Sequence, residues 1–212
     1  IGLIPVVMIS PYDTDLINEG SIERRKFIDS IISQNDKSYL QDLIDYNKII
    51  QNRNKLLKNS SYNTKSNLEM IDVYDDKIIE LSDPIYEKRI SFVKEFLPYF
   101  LEKYNYISSG KENVNIYYKS DLNDKSIKEI LKETLKKDFI LQYTSAGIHK
   151  DDLILEIDNN PVKKFGSQGQ QKSFIIALKL AQFEYLKVKT GISPILLMDD
   201  IFDKLDFSRV KN

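Results

Sequence analysis

The chain of 212 residues contains no cysteine, no tryptophan, a single histidine (His149) and only 7 glycines. Without cysteine there is no disulfide framework and no thiolate metal site, and one histidine cannot build a zinc centre by itself. A cysteine-free chain fits a reducing compartment, so a cytoplasmic location is expected. No apolar run approaches the roughly 20 residues that span a bilayer, and no membrane association is expected. Neither sign of charge dominates, since 31 Lys and Arg stand against 32 Asp and Glu. Bulk attraction to nucleic acid is thereby excluded, and any such contact must come from a local patch. The glycines form no GxxxxGK[ST] loop of the kind that cradles nucleotide phosphates.

What is present suffices for a buried core. Hydrophobic residues make up 42% and charged residues 30%, which is not the composition of a disordered chain. Residue 1 is Ile, the segment Ile1–Ile9 reads as a strand entered midway, and Val210-Lys211-Asn212 carries no helix-ending signal. The sequence therefore reads as an internal piece of a longer protein.

Periodicity gives a helix-rich α/β outline. Ile4–Ile9 is a short β-branched run, hence a buried strand, closed by Ser10-Pro11. From Ser21 the spacing of Phe27, Ile28, Ile31 and Ile32 predicts a helix. Ser38 and Gln41 have capping-box spacing and predict the start of a second. Asn59–Ser66 reads as a break, followed by separate helices over Leu68–Leu81 and Pro84–Tyr104. Asp83-Pro84 is the start signal of the latter, and Pro98 is expected to kink or end it. Val114–Tyr118 predicts a strand and Ile127–Lys137 an amphipathic helix. Leu153–Ile157 and Val162–Phe165 predict a hairpin about Asn159-Asn160. Gln171–Lys189 predicts a long helix, and Pro194–Met198 a buried strand. The expected organisation is a strand and loop over residues 1–20, a helical insertion over 21–106 and a mixed α/β segment over 107–212.

Two patterns carry chemistry. Gly166-Ser167-Gln168-Gly169-Gln170-Gln171 opens a helix with small residues, a hydroxyl and neutral amides. Glycines permit close backbone approach, and the helix N-terminus favours an anion. An ordinary turn into a helix has the same composition. One long helix later, the apolar Ile195–Met198 ends in Asp199-Asp200. Adjacent carboxylates at a strand end can hold Mg²⁺ and orient a water, or can merely be a solvated end. In the order loop, helix, strand and paired acids, the two patterns together describe half of a nucleotide-hydrolysing site.

Gly166–Gln171 resembles the signature loop of ABC-type ATPases, and its spelling is similar to that of the RecF family. Asp199-Asp200 resembles the Walker B end, and Leu205-Asp206 the D-loop. Ser10-Pro11-Tyr12-Asp13, Arg24-Arg25-Lys26-Phe27-Ile28-Asp29, Gln51-Asn52-Arg53-Asn54 with Leu56-Leu57-Lys58, and Gly147-Ile148-His149-Lys150-Asp151-Asp152-Leu153 resemble further family segments in order. Tyr12, Ile148, Lys150 and Asp203-Lys204 depart from the family's usual residues, the last pair where contacts across a dimer are made. The resemblance implies the C-terminal part of a P-loop NTPase head of ABC type with an inserted α-helical domain. It implies an ATP-dependent DNA-binding clamp of replication and recombinational gap repair, in which hydrolysis controls release from DNA and loading by recombination mediators. The implied partners are single-stranded and gapped double-stranded DNA, a second copy of the chain in an ATP-dependent dimer, and recombination mediator proteins. The implied cofactors are ATP and Mg²⁺. Asp199 would serve Mg²⁺ and Asp200 the attacking water. Ser167, Gln168, Gly169, Gln170, Gln171 and Asp206 would meet nucleotide held by the second copy. Lacking the glycine loop, these residues alone are expected to be an inactive part of a weak, DNA-dependent ATPase. The alternative is a nucleotide-independent DNA-binding or adaptor module on a degenerate ATPase scaffold.

From Tyr46 to Leu68 there is no acidic residue, while Lys48, Arg53, Lys55, Lys58 and Lys65 fall within it. Such a stretch can neutralise phosphates or form a solvated helix face. The family resemblance puts DNA contact on equal terms with the bland reading. Arg24 and Arg25 are DNA candidates on the same footing, with ion pairs to core acids as the alternative. His149 is expected to be a hydrogen-bonded turn residue, with a nucleotide-sensing role as the lesser alternative.

Overall fold

A computed structural model describes residues 4–59 and 65–199. In chain order the elements are β1 (Val6–Ile9), α1 (Asp15–Asn18), α2 (Ser21–Asn35), α3 (Lys37–Asn59), α4 (Lys65–Ser108) and β2 (Val114–Lys119). They continue with α5 (Ile127–Leu141), β3 (Asp152–Ile157), β4 (Asn160–Pro161), α6 (Val162–Phe165), α7 (Gln168–Thr190) and β5 (Ile195–Met198). β1 and β5 form a parallel pair with Val6 opposite Ile195 and Ile9 opposite Met198. A second sheet has the order β2-β3-β4, with β3 and β4 antiparallel. The helix-rich α/β class expected from periodicity is the class observed.

The described residues divide into two compact units, one of residues 4–35, 91–118 and 152–199, the other of 36–90 and 119–151. This is not the division into residues 1–20, 21–106 and 107–212 expected from the sequence. α2 belongs to the first unit because it packs against β3 and α7 there. Residues 119–151 belong to the second because α5 packs on α3.

In the first unit the core is aromatic. Phe92 stacks on Phe96 at 5.0 Å between ring centroids, Tyr185 meets Phe92 edge-on at 5.1 Å, and Phe100 lies 4.7 Å from Phe174. Each such ring removed from water contributes on the order of 1.5–3 kcal/mol. α7 also packs on β1, so the two-stranded sheet lies along that helix. In the second unit Tyr39, Tyr46, Ile50 and Leu57 bury one face of α3.

Four expectations are corrected. The helices expected over Leu68–Leu81 and Pro84–Tyr104 are one continuous α4 through Pro84 and Pro98. Its stripe Ile71, Ile78, Ile85, Phe92, Phe96, Phe100 and Tyr104 is buried to within 2%, and that burial outweighs the hydrogen bond each proline removes. α3 is capped by Asp36, whose carboxylate accepts from the Tyr39 N–H at 2.9 Å, and not by Ser38. Val162–Phe165 is a helical turn instead of the second hairpin strand, because the reversal is completed at Asp158 and Asn159 (φ 48 and 60) and β4 ends at Pro161. β5 is a strand but not a buried one, with Leu197 at 48% and Met198 at 56% exposure. β1 is its only strand partner among the described residues. The break expected over Asn59–Ser66 lies mostly outside the described residues. No helix among the described residues is long and apolar enough to cross a membrane.

Candidate functional site

Ser167 is the N-cap of α7, extended at φ −60 and ψ 162. Its Oγ accepts the Gln170 backbone N–H at 3.2 Å, and its own N–H donates to Gln170 Oε1 at 2.7 Å. This reciprocal box satisfies two donors that a helix start otherwise leaves unpaired. Gly166 precedes it where a Cβ would lie 2.8 Å from the Val162 carbonyl oxygen, so no larger residue fits. Gln171 Nε2 donates back to the Gly166 carbonyl at 3.0 Å. Gln170 Nε2 donates to Glu112 Oε1 at 3.2 Å.

The loop thus divides its labour differently from the sequence expectation. The amides of Gln170 and Gln171 hold the loop together, whereas the side chains of Ser167 and Gln168 are exposed. The Ser167 oxygen is the cap's acceptor, which leaves its hydroxyl proton for an incoming acceptor. Gly169 lies within the first turn, with its carbonyl taking the Ser173 hydroxyl at 2.9 Å. Lys163 and Lys164 on α6 are exposed just ahead of the loop in sequence, with the Lys163 ammonium donating to the Asn18 carbonyl at 2.6 Å, and the helix N-terminus itself favours an anion.

Asp199 is exposed at the end of β5, with its backbone N–H bonded to the Ile9 carbonyl at 2.9 Å. One exposed carboxylate suits Mg²⁺, which keeps most of its waters. Asp200 and Asp206 lie outside the described residues. Just past Ile9, Asp13 accepts the Ser10 N–H at 2.7 Å and pairs with Lys179 at 3.0 Å. Lys179 is twelve residues into the α7 register from Ser167, a rise of about 18 Å. The segment that follows β1 is thus tied to the middle of α7, away from the loop at the helix start. The sequence reading placed Asp13 in a loop segment but missed its pairing with Lys179, because nothing in their spacing announces a pair 166 residues apart.

The candidate DNA residues separate. Lys48, Lys55 and Lys58 are exposed on α3, with no ion pair to a carboxylate among the described residues. Arg53 is 0% exposed and donates to Asp75 at 2.6 Å, Asp138 at 2.7 Å and Thr144 at 3.0 Å. It is a core residue, and as a phosphate contact the expectation is corrected. Burial raises the Asp75 carboxyl's pKa, with Arg53 opposing the rise. Arg24 makes a two-pronged pair with Asp152 at 2.7 and 2.9 Å and donates to the carbonyls of Leu16 and Glu19. At most one of its five N–H groups is left for another partner, so here too the ion-pair alternative holds. Arg25 is half-buried on α2 and engaged within the chain.

The His149 segment is built as a turn. His149 Nε2 lies 3.0 Å from the Thr144 carbonyl, which can only accept, so Nε2 carries the proton and Nδ1 accepts from the Tyr46 hydroxyl at 2.8 Å. Burial pushes the Tyr46 hydroxyl's pKa far up, keeping it a donor. Gly147 has φ +119, and a Cβ there would stand 3.1 Å from the Tyr46 oxygen. Arg89, which sequence reasoning did not single out, is 2% exposed and donates to the Ile148 carbonyl at 2.8 Å and the Tyr39 hydroxyl at 3.0 Å.

No protein-family model matches the chain. It is 54% identical over 99% of its length to the DNA replication and repair protein RecF of Flavobacterium johnsoniae, and 46% identical over its full length to that of Phocaeicola vulgatus. It spans 58% and 56% of those two proteins. Two solved structures described as the recombination mediator protein RecF of the RecFOR pathway, one with ATPrS and one with ATP, superpose with TM-scores of 0.89 and 0.88 at 31% and 32% identity. They match 97% and 99% of this chain, which spans 57% and 58% of theirs.

Proposed function

From the premise that this chain belongs to the RecF family, we propose that it supplies the signature-loop and strand-end half of an ATP-dependent DNA clamp that acts in replication and recombinational gap repair. The observation that carries this reading is that Lys179, about 18 Å along α7 from Ser167, pairs with Asp13 just past the end of β1, the strand end to which Asp199 is hydrogen-bonded. Two groups suited to phosphate and to its metal, held apart in this way, fit two nucleotides shared between two copies of the chain.

Mg²⁺·ATP, when bound, would supply the anhydride to be cleaved and a charge-neutralising cation. Asp199 would hold the cation at the β5 end. Asp200, its neighbour in sequence, would orient the attacking water. Ser167 would donate a hydrogen bond from its hydroxyl to the terminal phosphate of nucleotide held by the second copy, while its oxygen stays the N-cap acceptor. Gln168, Gly169 and Asp206 would add to that contact. Lys48, Lys55 and Lys58 meet phosphates of single-stranded or gapped DNA, and hydrolysis times release from DNA and loading by mediator proteins. In this reading the chain is part of a weak ATP hydrolase.

The test is ATP-dependent sedimentation of a full-length RecF chain carrying this sequence, with and without gapped DNA. Dimers should form with ATP, fail to form in Ser167→Arg, and persist without turnover in Asp200→Asn. DNA binding that ignores ATP in all three would replace the clamp by the nucleotide-independent DNA-binding module.

A further inference from the structure

We propose that Glu112 is a positioning residue for Ser167, acting through the side-chain amide of Gln170. The inference rests on the reading of Ser167 given above. Glu112 stands between α4 and β2, where nothing in its sequence context marks it. Its two carboxylate oxygens face different partners. Oε2 accepts from the Tyr104 hydroxyl, and Oε1 accepts from Gln170 Nε2 at 3.2 Å. Tyr104 is itself 0% exposed and packed against Phe100 and Phe174 with ring centroids 6.0 and 5.7 Å away.

The consequence is an ordered chain of donors and acceptors. A carboxylate can only accept, so it selects the NH₂ end of the Gln170 amide. The carbonyl end is then turned to the Ser167 N–H, where it accepts at 2.7 Å. The flipped amide would set carbonyl against carboxylate and NH₂ against N–H, a clash of like groups at both ends. Glu112 therefore holds Gln170 in the one orientation that closes the capping box. The closed box keeps Ser167 Oγ occupied as an acceptor at 3.2 Å and leaves its proton to point out of the loop. Without Glu112 the amide is free to turn and to exchange the Ser167 N–H for water. The hydroxyl then loses the fixed position that a phosphate contact needs.

Glu112→Gln separates orientation from charge. A glutamine at 112 can present its carbonyl to Gln170 and its NH₂ to the Tyr104 oxygen, and so preserves the chain. Glu112→Ala ends it. In the full-length RecF chain, the ATP concentration for half-maximal dimerisation should rise roughly tenfold in Glu112→Ala, the worth of one charge-assisted hydrogen bond. It should stay within about threefold of the parent in Glu112→Gln. The same variants are read at Gln170 itself, by hydrogen exchange of its side-chain amide in NMR spectra. That amide should be protected in the parent and in Glu112→Gln, and solvent-like in Glu112→Ala. Unchanged exchange in Glu112→Ala overturns the proposal, as does equal loss of dimerisation in both variants, which would make the charge the cause. If Ser167→Arg dimerises normally while the exchange pattern holds, it is the reading of Ser167 that fails. If Ser167→Arg blocks dimers and Glu112→Ala does not weaken them, it is the role of Glu112.

Discussion

Arg53 and Asp138 form an ion pair of 2.7 Å in which neither side chain is exposed to solvent. Asp138 uses its other oxygen for the Ser145 N–H at 2.9 Å and hydroxyl at 2.6 Å, so α3, α5 and the segment after α5 are tied at one point. Removing one member of a buried pair strands the other, at a cost of about 3–5 kcal/mol. Arg53→Ala should accordingly lower the urea midpoint steeply. A variant that keeps the parent's stability but loses DNA affinity would return Arg53 to the DNA surface.

Lys55 and Lys58 should behave in the opposite way. Both are exposed and without ion pairs among the described residues, so replacing both by Ala should change stability by no more than about 0.5 kcal/mol. If each neutralises a phosphate, the slope of log affinity against log salt for duplex DNA becomes shallower by roughly two. Measuring that slope decides between a DNA surface and a solvated helix face.

Acid should attack the α3 cap. Burial works against the charge of Asp36, but hydrogen bonds from Lys88, the Tyr39 backbone and the Ser38 hydroxyl outweigh it and hold its pKa down at about 2, against an ordinary 3.8. The folded state binds this proton less tightly than the unfolded one, so stability from Asp36 is complete above about pH 4 and is lost as the pH falls through 2. The gap in urea midpoint between the parent and Asp36→Asn should be widest near neutrality and close across that window. A gap independent of pH would remove Asp36 as an acid-sensitive cap.

Pro98 offers a gain. It is exposed in the interior of α4, where proline removes a hydrogen bond and crowds the preceding turn. Pro98→Ala should raise the thermal midpoint, with a gain on the order of 1 kcal/mol or more. A fall would mean that α4 depends on a bend at this position.

Local signals were legible where a residue's own neighbours settle its conformation. The helices expected over Ile127–Lys137 and Gln171–Lys189 lie within α5 and α7. The hairpin turn falls one residue earlier than expected, at Asp158 and Asn159. Ser38 was a plausible cap on spacing, yet Asp36 also reaches the free N–H groups and has Lys88 beside it at 2.7 Å, a partner 52 residues away in the chain that no local pattern shows. Arg53 and Lys55 look alike as cations in an acid-free stretch. Only the arrival of Asp75 and Asp138 distinguishes them.

The order of motifs was enough, by itself, to place the chain in its family, because loop spelling and strand-end acids are short-range properties of the sequence. Tertiary structure alone decided which polar groups remain for a ligand. Polar groups withdrawn from water must find partners, and those of Arg24, Arg53 and Gln170 come from Asp152, Asp138 and Glu112, brought near by packing and not by sequence distance. Ser167, although it caps α7, and Lys48, Lys55 and Lys58 keep exposed side chains.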